Sequence, residues 1–120
     1  MSRVLLVLAH GSRVEKSNQE IIDFTAHLSD RIKSLFDRVE PCFLELTAPR
    51  FKDTLSMVAE EGAEEIVIYP HFLAEGRHVR DDIPKVVTRF EKQYPKVTVK
   101  VEPYLGQQSA LLDFVANCLS

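Results

Sequence analysis

The sequence predicts an α/β fold: a four-stranded, mostly parallel sheet with helices on both faces. Short apolar runs of strand length alternate with longer stretches of helical apolar spacing along the chain. Two of these runs, residues 4–9 and 65–69, are almost continuously apolar, which is typical of strands buried on both faces. Right-handed crossovers between consecutive strands would make such a sheet parallel.

The first strand and the first helix follow from an apolar run and a capping pattern. Residues 4–9 end at His10-Gly11, which predicts a central strand that enters a turn. Ser17-Asn18-Gln19-Glu20 resembles a capping box, after which apolar residues recur at helical spacing. We therefore expect the first helix from about residue 18 to about residue 37.

A proline indicates where the second strand lies in the sheet. Residues 39–46 form this strand, and Pro41 favours an edge position, because a central proline would remove a ladder hydrogen bond. Thr47-Ala48-Pro49 then opens a helix with one apolar face, and Gly62 ends that helix.

The second half of the chain continues the alternation of strand and helix. Residues 65–69 are the third strand, and Asp82-Ile83-Pro84 is typical of a helix start, which predicts a third helix over residues 83–93. Residues 97–101 alternate between apolar and polar side chains, as in a half-buried edge strand. A last helix is indicated by a set of apolar residues: Leu111, Leu112, Val115 and Leu119.

Length and composition favour one small domain. The 120 residues are enough for a single core, so we expect residues 1–120 to form one domain. A net charge of −3 argues against a nucleic-acid partner, which would require a basic stripe. No apolar run near the start has the length of a signal peptide or a membrane span, so we expect no membrane partner and a cytoplasmic location. Cys42 and Cys118 are then expected to be buried, reduced thiols.

Polar residues follow the ends of the predicted strands. His10, Glu45 and His71 stand at the ends of the first three strands, and His78 lies in the loop beyond the third. Parallel pairing would place these strand ends along one edge of the sheet, which we call the rim. Ligands of open α/β sheets bind beyond this edge, so the sequence predicts the functional site there. For His71, a side chain turned toward the core or solvent is favoured over a third metal ligand.

The candidate chemistry at the rim rests on two histidines and one glutamate. His10 and His78 could be metal ligands or proton acceptors, or else structural side chains bonded to the backbone. Two histidine ligands would leave coordination positions open, as expected of a site that releases its metal. Glu45 is expected to be a buried carboxylate that assists metal binding or accepts protons, or else an ion-pair partner of Arg13 or Arg50.

Basic residues cluster in sequence around the rim loops. Arg13, Lys16, Arg77 and Arg80 could hold carboxylates through charge-assisted hydrogen bonds, or they could be solvated loop charges. Helix N-termini that face the same rim would add backbone N–H donors for anions.

Six segments at the strand ends and in the loops share a pattern with known proteins: His10-Gly11-Ser12-Arg13, Phe43-Leu44-Glu45, Pro70-His71-Phe72-Leu73, Gly76-Arg77-His78, Asp82-Ile83-Pro84 and Leu105-Gly106. Together they resemble one family, the short-form sirohydrochlorin cobaltochelatases of the class II chelatases. The resemblance implies a single-domain, chelatase-like three-layer sandwich. It also implies that a homodimer inserts cobalt, nickel or ferrous iron into sirohydrochlorin, without ATP and without an organic cofactor.

The resemblance also assigns roles to residues. His10 and His78 correspond to the histidines that bind the metal in that family, and Glu45 to its rim glutamate. Insertion must remove two pyrrole protons, which we expect Glu45 or a histidine freed from the metal to accept. The substrate is a flat ring rich in carboxylates, and the candidates for binding it are Ser12, Arg13, Arg77 and Arg80.

Two other functions would use the same residues. A non-catalytic carrier of metal or tetrapyrrole would need the same histidine ligands. A phosphatase could use His10 as phosphate acceptor beside Arg13. Histidine phosphatases, however, place an arginine directly before the His-Gly pair, where this chain has Ala9.

Overall fold

The computed structural model describes residues 2–120, with the exception of the His78 side chain. Strands and helices alternate along the chain as expected. Their bounds are β1 (Arg3–Ala9), α1 (Glu15–Ile32), β2 (Arg38–Phe43), α2 (Phe51–Glu60), β3 (Glu65–Pro70), α3 (Arg77–Gln93), β4 (Thr98–Val101), a 3-10 turn at Leu105–Gln107, and α4 (Ser109–Cys118).

The four strands form one sheet in the order β2-β1-β3-β4, and all neighbouring pairs are parallel. The predicted parallel sheet is therefore confirmed. β2 is an edge strand, as Pro41 indicated, and β4 is the other edge. The two continuously apolar runs became β1 and β3, which lie side by side in the centre.

Helices cover both faces of the sheet, so the three-layer arrangement is also confirmed. On one face, α2 and α3 pack on the larger core cluster, in which Leu6 and Ile68 of the sheet meet Leu55 and Val87 of the helices. On the other face, α1 packs on a smaller cluster around Val67.

The first helix begins earlier than the capping box indicated. α1 starts at Glu15 after Val14, which caps no backbone N–H with its side chain, and it ends at Ile32. The predicted bounds of about residues 18 to 37 were therefore wrong at both ends. Ser17 therefore lies inside the first turn of α1 and not at its N-cap, which removes the physical basis of the capping-box interpretation.

The third helix also begins earlier, at Arg77 instead of Ile83, so His78 lies in the first turn of α3 and not in a loop. Pro84 is inside the helix, where its side chain is exposed. Burial explains the longer helix: Val79 is buried in the same core cluster as residues two and three turns further along α3. The energy of packing Val79 outweighs the local signal of Asp82-Ile83-Pro84.

Two further expectations about position need correction. β2 ends at Phe43, three residues before the predicted end, so Glu45 lies outside the strand and is exposed. Cys42 is buried as expected, but Cys118 is exposed because α4 buries none of its side chains.

No helix in the described part of the chain is both long and apolar enough to cross a membrane.

Candidate functional site

Two rim loops are joined by backbone hydrogen bonds just beyond the ends of β1 and β2. The Leu44 N–H donates to the carbonyl of Ala9 at 2.9 Å, and the Glu45 N–H donates to the carbonyl of His10 at 3.1 Å. Gly11 permits this approach, because it has a φ of 92° and a Cβ at this position would lie 1.9 Å from the Glu45 carbonyl oxygen. The prediction that His10 and Glu45 lie close together at the rim of the sheet is thus confirmed for their backbones.

A buried asparagine holds the loop that follows His10. The Asn18 Oδ1 accepts a hydrogen bond from the Ser12 N–H at 2.9 Å, and its Nδ2 donates to the Ser12 carbonyl at 2.7 Å. The Ser12 Oγ accepts a further bond from the Val14 N–H at 3.0 Å. The sequence analysis missed this role of Asn18. The available signal was a short amide side chain one turn into a helix that follows a glycine loop.

The His10 side chain is half-buried and rests on an aromatic ring of the neighbouring loop. The His10 and Phe72 ring centroids are 4.6 Å apart. Phe72 belongs to the core cluster on the α2 and α3 side, together with Val79. His78 is the residue before Val79 on the first turn of α3, but its side chain lies outside the described residues. A metal held jointly by His10 and His78 therefore stays a prediction.

His71 lies against the other helix layer. Its ring stacks on Phe24 of α1 with centroids 4.3 Å apart, and its Nδ1 is 2.7 Å from the Tyr69 hydroxyl oxygen. Burial lowers the pKa of His71 and raises the pKa of Tyr69 to about 12. Both groups are therefore neutral near pH 7, and Nδ1 is engaged by tyrosine in either tautomer. These contacts favour the structural interpretation of His71 over a third metal ligand.

Glu45 differs most from its expected surroundings. Its side chain is exposed, so the expected buried carboxylate is wrong. An exposed carboxylate at the rim needs no partner to offset desolvation, and it is accessible to protons or to a metal. Burial therefore no longer supports the predicted role of Glu45 as base or metal ligand, whereas the position of Glu45 beside the His10 loop still does.

Among the side chains that the structure describes, no three of the histidine, cysteine and acidic residues lie together as a possible metal site. A structural zinc site would require four such ligands. The His78 side chain is not among the described residues, so a metal site shared by His10 and His78 stays a prediction.

The expected anion-binding residues are all accessible. Arg13, Arg77 and Arg80 are exposed, and the Arg80 Nε lies 3.5 Å from the Glu75 carboxylate. Each of α1, α2 and α3 follows a strand end at the rim and begins without a side-chain cap, so backbone N–H groups of their first turns remain available to anions.

The structure also places four basic side chains in one cleft between α2 and α3. We call this the cationic cleft; its volume is about 260 Å³, and Leu44 and Asp82 also line it. The sequence analysis missed it because the cleft joins residues from two helices. The available signal was the spacing of two basic residues by four positions on α3. The cleft residues are Arg50, Lys52, Lys85 and Arg89.

The structure defines a class: small α/β proteins with a parallel sheet whose strand ends carry histidine, carboxylate and arginine side chains. Comparison with known proteins identifies the family within this class. The CbiX family pattern matches residues 4–120. The chain therefore belongs to the CbiX family, which confirms the resemblance found in the sequence.

Two relatives with known names share about a third of their aligned residues with this chain. A chloroplastic sirohydrochlorin ferrochelatase of Arabidopsis thaliana is 32% identical over 120 residues, which cover 97% of this chain and 52% of that protein. A sirohydrochlorin cobaltochelatase of Sulfolobus acidocaldarius is 31% identical over 111 residues, which cover 92% of this chain and 85% of that protein.

Solved structures share the fold. The sirohydrochlorin chelatase SirB of Bacillus subtilis subspecies spizizenii, in complex with cobalt, superimposes with a TM-score of 0.84 at 26% identity over 99% of this chain and 50% of that one. A cobalamin-biosynthesis CbiX protein of Marinobacter aquaeolei superimposes with a TM-score of 0.76 at 23% identity, over 98% of this chain and 93% of that one. The chain thus spans about half the length of the Arabidopsis relative and of SirB.

Proposed function

We propose that this protein is an ATP-independent metal chelatase, a lyase that inserts a divalent metal into sirohydrochlorin in tetrapyrrole biosynthesis. The observation that carries the proposal is the family match over residues 4–120, which includes every rim loop. Relatives are named as ferrochelatases and as cobaltochelatases. We therefore propose cobalt or ferrous iron as the metal substrate, with nickel as a third candidate, and a product that enters cobalamin or a related pathway.

The proposed catalytic residues are His10, His78 and Glu45. His10 and His78 hold the metal through neutral imidazole nitrogens, with coordination positions left open for the ring nitrogens of the substrate. Two N–H protons of the ring are replaced by the metal. Glu45, which is exposed beside the His10 loop, accepts protons during this exchange.

The proposed substrate-binding residues are Ser12, Arg13, Arg77 and Arg80. The three arginines are exposed at the rim, where charge-assisted bonds to the carboxylates of sirohydrochlorin are available. The loop that carries Ser12 is fixed by Asn18, which preorganises its backbone. We propose that the cationic cleft extends this attraction, because it lies next to Leu44 in the Glu45 loop.

The proposed assembly is a homodimer of single chelatase-like domains that pair rim to rim. One four-stranded sheet offers one wall of a crevice, and a second copy would supply the other. We further propose a cytoplasmic protein that has no nucleic-acid or membrane partner and needs no organic cofactor. The net charge of −3 supports the proposed absence of a nucleic-acid partner.

The test is a spectroscopic insertion assay with sirohydrochlorin and cobalt, ferrous iron or nickel in turn, under anaerobic conditions. We expect the amount of metallated product to exceed the amount of protein many times over with at least one metal. Product that stops at one equivalent per chain would instead identify a carrier. No acceleration over the uncatalysed reaction with any metal would contradict the proposal.

A further inference from the structure

Three aromatic rings in contact lead from the rim to the segment after β4. The planes of the His10 and Phe72 rings are inclined by 39°, with their centroids 4.6 Å apart. Tyr104 also stacks on Phe72, with centroids 5.7 Å apart and planes inclined by 22°. Ring pairs of this kind attract each other in preferred geometries. Phe72 is thus a shared contact of His10 and Tyr104, which lie near opposite ends of the chain.

The three rings differ in burial. Phe72 is a member of the core cluster on the α2 and α3 side, and Tyr104 packs against that cluster from outside. His10 and Tyr104 are half-buried. A ring in a close-packed core keeps its position because its neighbours fill the space around it. Loss of the Tyr104 ring would therefore leave room for Phe72 to move.

The backbone of the loop after β3 is also attached to the segment that carries Tyr104. The Gly106 N–H donates to the Phe72 carbonyl at 3.2 Å, and the Gln107 N–H donates to the Tyr104 carbonyl at 2.8 Å. A Cβ on Gly106 would collide with the Leu73 carbonyl oxygen, so only glycine permits this approach. The segment after β4 thus contacts both the ring and the backbone of Phe72.

The His10 backbone and the His10 ring are held by different neighbours. The Glu45 N–H donates to the His10 carbonyl at 3.1 Å, which fixes the backbone. Metal-binding histidines are usually oriented by a hydrogen bond to the second ring nitrogen. Among the described residues, the ring of His10 has the Phe72 stack in place of such a bond. The orientation of the His10 ring therefore depends on where Phe72 lies.

We propose that Tyr104 is a positioning residue for His10: through Phe72 it fixes the plane of the His10 ring and strengthens the binding of the metal substrate. The proposal rests on the proposed function, in which His10 is a metal ligand. An imidazole nitrogen binds a metal in the plane of its ring, so a tilt of the ring displaces the position that the metal can occupy. Groups that orient a ligand in this way influence metal affinity without touching the metal.

Tyr94 provides a matched control at the other end of α3. It is half-buried and packs against the same core cluster. Its ring stacks on Phe90 with centroids 4.9 Å apart and planes inclined by 27°. Tyr94→Leu and Tyr104→Leu therefore each remove a tyrosine ring from a core phenylalanine. Of these two phenylalanines, Phe72 is the one that contacts His10.

The first experiment uses NMR of the protein without metal or sirohydrochlorin, so its outcome is independent of the proposed function. The ring protons of His10 are assigned by comparison with His10→Gln at one fixed pH. We expect Tyr104→Leu to shift these signals, because the ring current of Phe72 acts on them at short range. Tyr104→Phe keeps the stacked ring and should restore the wild-type signals. Unshifted His10 signals in Tyr104→Leu, or an equal shift in Tyr94→Leu, would overturn the proposal.

Gly106→Ala tests the same connection through the backbone and serves if Tyr104→Leu does not fold. The added methyl group would push the segment after β4 away from the Leu73 carbonyl. We expect the His10 signals to shift here as well. Signals at the wild-type position would contradict a connection from this segment to His10.

The second experiment measures binding of Co²⁺ alone. Tyr104→Leu should weaken it about 3- to 10-fold, at the lower end of the 10–100-fold typical of outer-shell partners, because it acts through a second ring. Tyr104→Phe and Tyr94→Leu should bind Co²⁺ as the wild type does. Wild-type affinity in Tyr104→Leu, or equal weakening in Tyr94→Leu, would overturn the effect on metal binding.

His10→Ala separates failure of this proposal from failure of the proposed function. It should bind Co²⁺ more weakly than Tyr104→Leu does, since it removes the ligand itself. Wild-type affinity in His10→Ala would contradict the ligand role of His10 in the proposed function and with it the effect of Tyr104 on metal binding. The NMR result would still decide whether Tyr104 orients the ring.

Discussion

Single residues hold the rim loops at the positions that the proposed chemistry needs. Gly11 lets the loop after β1 touch the loop after β2, and Asn18 fixes the backbone of Ser12 from inside the protein. His10 then rests on Phe72 of the loop after β3. Three loops that are far apart in the sequence are thereby joined around one histidine.

The first prediction compares two glycines with positive φ. Gly62→Ala should lower the free energy of unfolding by about 1–2 kcal/mol, because its φ of 104° is strained for alanine although the space around it is open. Gly11→Ala should cost about 1–3 kcal/mol more, since its Cβ also collides with the Glu45 carbonyl. Urea unfolding of both variants measures the difference, and equal losses would contradict the close approach of the two loops.

The second prediction concerns the pH dependence of stability. Burial lowers the pKa of His71 in the folded protein below its ordinary value of 6.5. The unfolded chain therefore binds a proton more readily at this residue, and the protein should lose stability as the pH falls below 6.5 toward the folded pKa. His71→Phe preserves an aromatic ring against Phe24 and should remove this part of the loss.

Urea unfolding between pH 7.5 and 5 tests this expectation, with His27→Gln as the control because that side chain is exposed. The control should keep the slope of the wild type. A His71→Phe slope equal to that of the wild type would show that burial of His71 has no influence on its titration.

At the scale of elements, the boundaries of α3 decide where His78 lies. The helix includes Pro84 in its interior, because Val79 and Ile83 both contribute to the core. An interior proline leaves the carbonyl four residues earlier without its usual partner. His78 thus lies on a helix instead of in a loop because the packing of Val79 and Ile83 outweighs the hydrogen bond that is lost at Pro84.

The third prediction follows from this cost. Pro84→Ala should raise the free energy of unfolding by about 1–2 kcal/mol. In helix interiors proline is less favourable than alanine by ~3 kcal/mol. The expected gain is smaller than this difference, because proline also restricts the unfolded chain. Pro84 is exposed, so the change leaves the core intact. Pro95→Ala, beyond the end of α3, is the control and should not be stabilising. A loss of stability in Pro84→Ala would contradict a continuous helix through this position.

The strands were predictable from the sequence because their signals are strong and local. Continuous apolar runs mark β1 and β3, and one proline marks the β2 edge. The start of α3, the exposure of Glu45 and the cationic cleft were missed. Each of these depends on which side chains meet in space, and local patterns of capping or charge do not contain that information.

At the scale of the molecule, charge is distributed unevenly. The chain carries a net charge of −3, yet four basic side chains line the cationic cleft and three arginines lie at the rim. An acidic substrate would be repelled by the net charge of the chain and attracted by the basic residues of the rim and of the cationic cleft. Local attraction prevails at short range, because salt screens charges beyond a Debye length of roughly 8–10 Å.

The fourth prediction tests this local attraction. Arg89→Glu should raise the KM for sirohydrochlorin about 2- to 10-fold with little change in kcat, and added salt should reduce the difference. Lys96→Glu makes the same charge change at an exposed position near the opposite end of β4 and should leave KM unchanged. Equal effects of the two variants would indicate that only net charge matters.

The central claim is that His10 and His78 act on one metal ion, and a double-mutant cycle of the insertion rate tests it most directly. His10→Ala and His78→Ala should each lower kcat/KM at least about 100-fold, since loss of a ligand costs more than the 10–100-fold typical of outer-shell partners. The double variant should be no slower than the slower single variant, because the site fails as a unit. His27→Ala is the control. Single variants near the wild-type rate, or losses that multiply in the double variant, would contradict a shared metal.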